Sequence, residues 1–189
     1  MGSWIVFELA RAAASRGVPP PRKLYVSANR SPHLAGRDHD PDRVAPELHA
    51  LPRARFWEHF ERRYGRNPDL ATPAIRDFIE PLLRADFRML ETYRYVAKGA
   101  EEGNDPRLPC PIAACFAHGD ARCGRELAES WRVFAPPGDG CFCVRGFAVD
   151  WMDAEDYWGT PHRYLLDKPG PDEFLRWLAA DLAQLYVAP

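Results

Sequence analysis

Long apolar runs and clusters of positive charge are both absent from this sequence. No apolar stretch approaches the roughly 18 residues that a membrane-spanning helix requires. The 25 Lys and Arg residues are balanced by 27 Asp and Glu residues, which gives a formal net charge of −2. No basic stripe of the kind that binds nucleic acid is present. The sequence therefore predicts neither a membrane span nor a nucleic-acid partner.

Targeting signals are also lacking near Met1. Glu8 and Arg11 interrupt the stretch that would otherwise pass for a signal-peptide core, and no basic segment precedes it. Val6 stands where the myristoylation pattern requires Ser or Thr. These features predict a cytoplasmic protein.

Cysteine is scarce, odd in number and without a Cys-x-x-Cys pair. The five residues are Cys110, Cys115, Cys123, Cys141 and Cys143. A secreted disulfide framework is therefore excluded. A zinc site built from Cys141 and Cys143 with His118 or His162 is an alternative, but a Cys-x-Cys in an apolar alternation usually puts both thiols on one buried strand face. The sequence favours buried free thiols and no metal.

What is present is enough apolar material for one globular domain: 189 residues, 46% of them hydrophobic. Gly17 and the prolines after it end a first helix. Short apolar runs at 23–28, 110–117 and 142–147 are typical of buried strands. A last helix follows Pro169-Gly170-Pro171. Helices and strands thus alternate along the chain, which predicts an α/β fold with a mostly parallel sheet.

The first 16 residues have the pattern of a helix that is buried inside a protein. The polar side chains Glu8, Arg11 and Ser15 share one narrow stripe, and apolar residues cover the remaining circumference. Such a helix is expected to be buried on most sides. Since Met1-Gly2 provides neither a cap nor a preceding strand, we expect that a further segment belongs in front of it.

A long helical region comes after a stretch without periodicity at 36–52. Residues 53–64 place Phe56, Trp57 and Phe60 on one helix face, and Thr72-Pro73 begins a second helix by cap and first-turn proline. Apolar residues then recur at intervals of three and four as far as Tyr93, with Pro81 expected to kink the helix or to break it into two.

Several stretches resemble the type II thioesterase family, which includes the oleoyl-ACP hydrolases. The start of the chain resembles the segment directly after the nucleophilic serine in that family's Gly-His-Ser-Met-Gly motif. Further matches lie at 27–34, at 81–87, at 90–95, and at 159–166, where the family's Gly-Gly-His has lost its second glycine. The resemblance covers nearly the whole chain. It implies the C-terminal part of an α/β-hydrolase domain, truncated at its N-terminus and extending over 1–189, with a helical lid at about 52–97.

The resemblance also implies a Ser-Asp-His triad. Asp120, just beyond the strand at 110–117, would orient the base; from spacing alone it could equally be a surface Asp in a turn. His162 would be that base, and the serine would stand immediately before Met1, whose backbone N–H would supply half of the oxyanion hole. Ser3 lies three positions too late to be the nucleophile. His33 is expected to be a loop histidine bonded to backbone.

The family's chemistry is hydrolysis of an acyl thioester. The implied partner is an acyl carrier protein or its acyl-phosphopantetheine thioester, and the reaction requires no cofactor. The lid would contribute to the wall of the acyl channel through Phe78, Leu82, Phe87 and Leu90. The periodicity of the lid region is equally compatible with an ordinary amphipathic helix packed on a core.

Three functions remain open from the sequence. The chain is part of a thioesterase, a non-catalytic remnant that binds acyl groups or carrier protein, or an α/β scaffold without a ligand. The order of Asp120 and His162 favours the first over the third. We further expect the chain beginning at Met1 to be inactive and poorly soluble, because an apolar helix and a strand edge would lack cover.

Overall fold

The computed structural model describes residues 1–41, 46–97, 105–148 and 172–187. Within these ranges the helices and strands follow the predicted order: α1 (Gly2–Ser15), β1 (Leu24–Ser27), α2 (Arg53–Tyr64), α3 (Pro73–Thr92), β2 (Ile112–Ala117), α4 (Arg125–Glu129), β3 (Phe142–Phe147) and α5 (Asp172–Val187). Short 3-10 turns lie at Pro32–Leu34, Arg37–His39, Leu48–Ala50, Pro68–Leu70 and Ser130–Phe134. None of the described helices is both long and apolar enough to cross a membrane.

The three strands form a parallel sheet in the order β1-β2-β3. Leu24 pairs with Ile112, which in turn pairs with Phe142, so the strands start at the same level. All six residues of β2 are buried, as expected for a central parallel strand that is covered on both faces. The predicted α/β fold with a parallel sheet is confirmed.

One face of the sheet packs against α1 and the turn after α4. Phe7 of α1 is fully buried and lies against the rings of Phe134 and Trp131, with centroid distances of 4.6 and 5.9 Å. Leu24 and Val26 of β1 join this cluster. The opposite face carries Cys115, Ala117 and Phe147, which pack against Phe174 and Trp177 of α5.

A second cluster joins α2 to α3 and contains the buried residues Leu48, Phe56, Trp57 and Phe87. Of the two alternatives expected at Pro81, a kink or a break, the break is wrong, because α3 continues through it as one helix of 20 residues. Glu80 explains part of this continuity. Its carboxylate accepts hydrogen bonds from Trp57 Nε1 on α2 and from Arg84 Nε on the next turn, both at 2.8 Å, which holds the two sides of the proline together.

The cysteines are free thiols, but they differ in burial. Cys110, Cys115 and Cys123 are buried, whereas Cys141 and Cys143 are only half-buried, contrary to the expectation for these two. Among the described strands β3 pairs with β2 alone, so its side chains receive less cover. In the described part of the chain, no group of three or more His, Cys, Asp and Glu side chains could hold a metal ion.

Helix α1 buries one face rather than most of its circumference, which corrects the sequence-based expectation. Ser3, Trp4, Phe7 and Ala10 are buried. Ile5, Val6 and Leu9 are 41%, 36% and 63% exposed, because none of the described elements covers their side of the helix. Strand β1 pairs with β2 alone among the described strands, so its other edge is open.

These uncovered surfaces predict that the 189-residue chain associates with itself. An open parallel edge beside exposed aliphatic side chains favours contact between copies. We expect Leu9→Lys to lower the apparent mass at micromolar concentration in light scattering and to leave the unfolding midpoint nearly unchanged. The buried counterpart Ala10→Lys should instead unfold the protein. A monodisperse monomer of the unaltered chain would contradict the prediction.

Helix α5 is anchored to β1 through Asp181. Its carboxylate accepts hydrogen bonds from Lys23 Nζ at 2.7 and 2.9 Å and from the Tyr25 hydroxyl. Burial acts to raise the pKa of Asp181, but the hydrogen bonds from Lys23 and Tyr25 outweigh it and hold the pKa below its ordinary value. Burial and the Asp181 carboxylate raise the pKa of Tyr25. The charged form of Asp181 therefore stabilises the packing of α5.

We expect Asp181→Asn to lower the free energy of unfolding at pH 7 by about 1.5–3 kcal/mol, the range for hydrogen bonds to charged groups. Because the folded pKa is depressed, the contribution is complete above the unfolded value of about 3.9 and is lost as the pH falls through the folded pKa. Urea unfolding between pH 7 and pH 3 tests both statements. Asp69→Asn, at an exposed position, is the control and should show no such difference.

Candidate active site

The carboxyl ends of the three strands meet at one edge of the sheet, and the N-terminus of α1 lies at the same edge. Ser3 connects the two, because its hydroxyl donates to Ser27 O at 3.1 Å and accepts from Ser27 N–H at 3.3 Å. Ser27 is the last residue of β1. Met1 therefore stands directly beside the end of a strand, at the side of a parallel sheet where α/β folds place their ligands.

The turn that leaves β1 is held from both sides. Trp4 Nε1 donates to Arg30 O and Trp131 Nε1 donates to Asn29 O, each at 2.7 Å. Ala28 has φ +50°, a left-handed conformation that non-glycine residues seldom adopt. Within the described part of the chain, the buried Nδ2 atom of Asn29 has no hydrogen-bond partner. Strain and an unpaired amide at one turn are features that cluster at functional sites.

Asp120 lies three residues after β2, at the same edge. It is 6% exposed, and its Oδ1 accepts a hydrogen bond of 2.8 Å from the Arg122 backbone N–H. Gly119 precedes it with φ +80°, a conformation that favours glycine. The backbone therefore holds one carboxylate oxygen of Asp120 in a tight turn, as an Asx-turn does.

His162, the predicted base, lies outside the described residues, so its approach to Asp120 stays a prediction. Two other histidines stand near this edge. His33 Nδ1 lies 3.0 Å from the buried Ser31 hydroxyl, so its partner is a side chain rather than the expected backbone group. Burial and the nearby His39 lower the pKa of His33. The His118 ring packs edge-on against Phe116, with centroids 5.3 Å apart.

The C-terminal half of α3 lies beside α1. Tyr93 stacks on Trp4 with a centroid distance of 4.9 Å, and its hydroxyl donates to Glu8 Oε1 at 2.6 Å. Burial and the contact with Glu8 raise the pKa of Tyr93. Burial lowers the pKa of the Met1 amino group, and the negative charge of Asp86 on α3 opposes that shift. Helix α3 thus reaches the N-terminus of α1, close to the edge that carries Asp120.

The four lid residues named from the sequence differ in their exposure. Phe78 and Leu82 lie on the outer side of α3 and are 75% and 55% exposed. Phe87 is buried between α2 and α3, against Phe56 and Phe60. Leu90 is half-buried and contacts both hydrophobic clusters. Exposed apolar surface available to a ligand is therefore provided by Phe78 and Leu82 rather than by Phe87.

Sequence reasoning missed a half-buried ionic network next to Asp120. Asp40 Oδ2 lies 3.7 Å from Arg30 Nη1, and its Oδ1 lies 3.5 Å from Arg122 Nη2. Asp40 belongs to the stretch at 36–52 that shows no periodicity. The signal in the sequence is the density of charged residues there, which by itself is equally typical of a solvated loop.

A family model named Thioesterase domain matches residues 1–136, which is more than half of the chain. Among curated proteins, the chain is similar to Thioesterase PikA5 of Streptomyces venezuelae, with 28% identity over 159 residues, 84% of this chain and 50% of that protein. The chain therefore spans about half the length of this curated relative.

Solved structures agree with the family match. The chain is similar to RedJ, the thioesterase of the prodiginine biosynthetic pathway in Streptomyces coelicolor, with a TM-score of 0.70, 29% identity, and coverage of 95% of this chain and 59% of RedJ. The type II thioesterase BorB of the borrelidin biosynthetic cluster shares the fold, with a TM-score of 0.63 and 24% identity over 97% of this chain and 58% of BorB. The parallel sheet and its flanking helices fit an α/β-hydrolase fold.

The close packing of β3 against the end of β2 gives a prediction for Gly146. An added Cβ there would lie 2.6 Å from Phe116 Cζ and 2.7 Å from His118 Cε1. We expect Gly146→Ala to lower the free energy of unfolding by about 1–3 kcal/mol, the usual effect of overpacking. Gly124→Ala is the matched control, because its Cβ would meet Asp120 O at an ordinary 3.7 Å. Equal midpoints for the two variants in urea unfolding would contradict the prediction.

Proposed function

Because the chain belongs to the thioesterase domain family, as a type II member, we propose that it carries the acid and base of a serine hydrolase acting on acyl thioesters. In this proposal Asp120 and His162 are the second and third members of a Ser-Asp-His triad. The nucleophilic serine precedes Met1 in the full-length protein. The backbone N–H of Met1 supplies one donor of the oxyanion hole.

One observation carries this proposal. The Ser3 hydroxyl bonds to the last residue of β1, so α1 begins at the edge of the sheet where Asp120 is held. A residue joined to the amino group of Met1 would extend from a helix N-terminus beside the end of a strand. This is the setting of a nucleophile elbow, in which a sharp turn between strand and helix exposes the serine.

The chemistry follows from the roles of the three groups. The serine Oγ attacks the thioester carbonyl carbon while the His162 imidazole removes its proton, and the oxyanion accepts hydrogen bonds from backbone N–H groups. The imidazolium then protonates the departing thiolate. Water, deprotonated by the same imidazole, hydrolyses the acyl-serine. Asp120, whose Oδ1 is fixed by the Arg122 N–H, holds the imidazole tautomer and stabilises the imidazolium.

For the substrate we propose an acyl group carried on the phosphopantetheine arm of a carrier protein, in a polyketide or nonribosomal peptide pathway. The names of structural neighbours support this class, since YbtT, which shares the fold, is the type II thioesterase of the yersiniabactin NRPS/PKS pathway. The exposed side chains Phe78 and Leu82 on a helix that reaches the N-terminus of α1 provide apolar surface for the acyl chain. Phe87 and Leu90 would support that surface from behind.

The test compares two proteins. One is the 189-residue chain, and the other is the same chain preceded by the upstream coding sequence of its own gene or by the N-terminal part of RedJ that the chain does not cover. We expect the extended protein to hydrolyse an acyl-phosphopantetheine thioester and to form an acyl-enzyme visible by intact mass. The chain starting at Met1 should do neither, because it provides no serine before α1.

Within the extended protein, Asp120→Asn should lower kcat about 10⁴-fold, and His162→Ala, which removes the base itself, should lower it about 10⁶-fold. Glu126→Gln removes an exposed carboxylate six residues from Asp120 and should leave kcat unchanged. Full activity of the Asp120 variant would refute its role. If the extended protein binds acyl-carrier protein without any turnover, the chain is instead a non-catalytic acyl- or carrier-binding protein.

A further inference from the structure

Asp40 stands between two arginines that are themselves mostly buried. The side chains of Arg30, Asp40 and Arg122 are 10%, 19% and 15% exposed. Two guanidinium groups that lie close together and are largely shielded from solvent repel each other. A carboxylate between them offsets this repulsion. Burial and the neighbouring Arg122 act to lower the pKa of Arg30, whereas Asp40 acts to raise it. The carboxylate of Asp40 therefore allows both arginines to remain charged in this position.

Each arginine is fixed to a different part of the molecule. Arg30 donates from Nε to Leu34 O at 2.7 Å and from Nη2 to Gly36 O at 3.2 Å, and its guanidinium lies 5.7 Å from the Trp4 ring of α1. The Arg122 guanidinium lies 5.5 Å from the Tyr64 ring at the end of α2. Asp40 thus joins the loop after β1, which contacts α1, to the turn after β2, which contacts α2.

The second of these connections reaches Asp120 directly. Arg122 uses its side chain to contact Asp40 and its backbone N–H to bind Asp120 Oδ1 at 2.8 Å. The contact with Asp40 therefore restrains the same residue whose peptide group holds the Asp120 carboxylate, and its loss removes one restraint on that peptide group. Orientation of this carboxylate matters, because a triad acid acts by fixing the geometry of the imidazole.

We propose that Asp40 is a positioning residue for Asp120: its carboxylate bridges Arg30 and Arg122 and thereby fixes the turn whose Arg122 N–H holds Asp120 Oδ1. The catalytic meaning of this role rests on the proposed thioesterase function. The positioning itself is a property of the described chain. In Asp40→Asn, the two guanidinium groups face each other without the carboxylate that lies between them, and the side chain of Arg122 is expected to turn away.

Hydrogen exchange tests the positioning without any need for turnover. In the 189-residue chain we expect Asp40→Asn to accelerate exchange of the Arg122 amide at least tenfold, while the amides of β2 exchange as before. Asp38→Asn is the matched control, because it removes the same charge two residues away at an exposed position. Unchanged exchange at Arg122, or an equal effect of the two variants, would overturn the proposal.

A second variant covers the case in which Asp40→Asn fails to fold. Arg122→Met keeps the aliphatic stem but removes the guanidinium, so it breaks the bridge without leaving two opposed cations. We expect faster exchange at residue 122 here too, and an unchanged rate would equally overturn the proposal. Where both single variants fold, the double variant should exchange no faster than Asp40→Asn alone, since both changes act on one bridge. Additive effects would show that Asp40 and Arg122 act independently.

Kinetics distinguish positioning from general stability. In the extended protein with thioesterase activity, Asp40→Asn should lower kcat about 10- to 100-fold and leave KM within twofold, because the acyl-binding surface on α3 is untouched. Asp40→Glu, which keeps the charge, should recover part of the loss. A rise in KM with unchanged kcat would overturn the role in catalysis. Absence of turnover in every form would refute the proposed function and leave the exchange result to decide the positioning.

Discussion

The parallel pairing of β2 with both of its neighbours is the constraint on which the rest of the structure depends. Because the backbone groups of a buried strand must be satisfied within the sheet, the six residues of β2 require β1 on one side and β3 on the other. Parallel direction then brings the three carboxyl ends to one edge. The N-terminus of α1 and the turn with Asp120 meet there as a result, although they are distant in sequence.

The two faces of this sheet are stabilised by different means. The α1 face relies on aromatic packing, in which Phe7 contacts Trp131 and Phe134 and the tryptophan indoles donate to the loop after β1. The α5 face combines a smaller apolar cluster with the hydrogen-bonded carboxylate of Asp181. The α5 face is directly sensitive to acid, since it depends on an ionised group.

Arginines help to order the loops at the carboxyl edge, together with the core tryptophans Trp4 and Trp131. Arg30 donates to two carbonyls of its own loop, and Arg122 contacts Asp40 while its backbone holds Asp120. Arginine suits this task because its planar group offers several donors in fixed directions and stacks on aromatic rings.

Local pattern determined much of this protein. Periodicity identified α2 and α3, apolar runs identified the strands, and the position of Asp120 just after β2 is visible in the sequence because strands and turns carry local signals.

What covers each apolar surface was decided by tertiary structure. In the sequence, Phe78, Leu82 and Phe87 belong to the same apolar pattern, so they could not be told apart. In the structure, packing against α2 buries Phe87 and leaves the other two exposed. Likewise the bridge from Arg30 through Asp40 to Arg122 joins residues far apart in the chain, and no local pattern specifies an ion pair that forms only when two loops meet at the edge of a sheet.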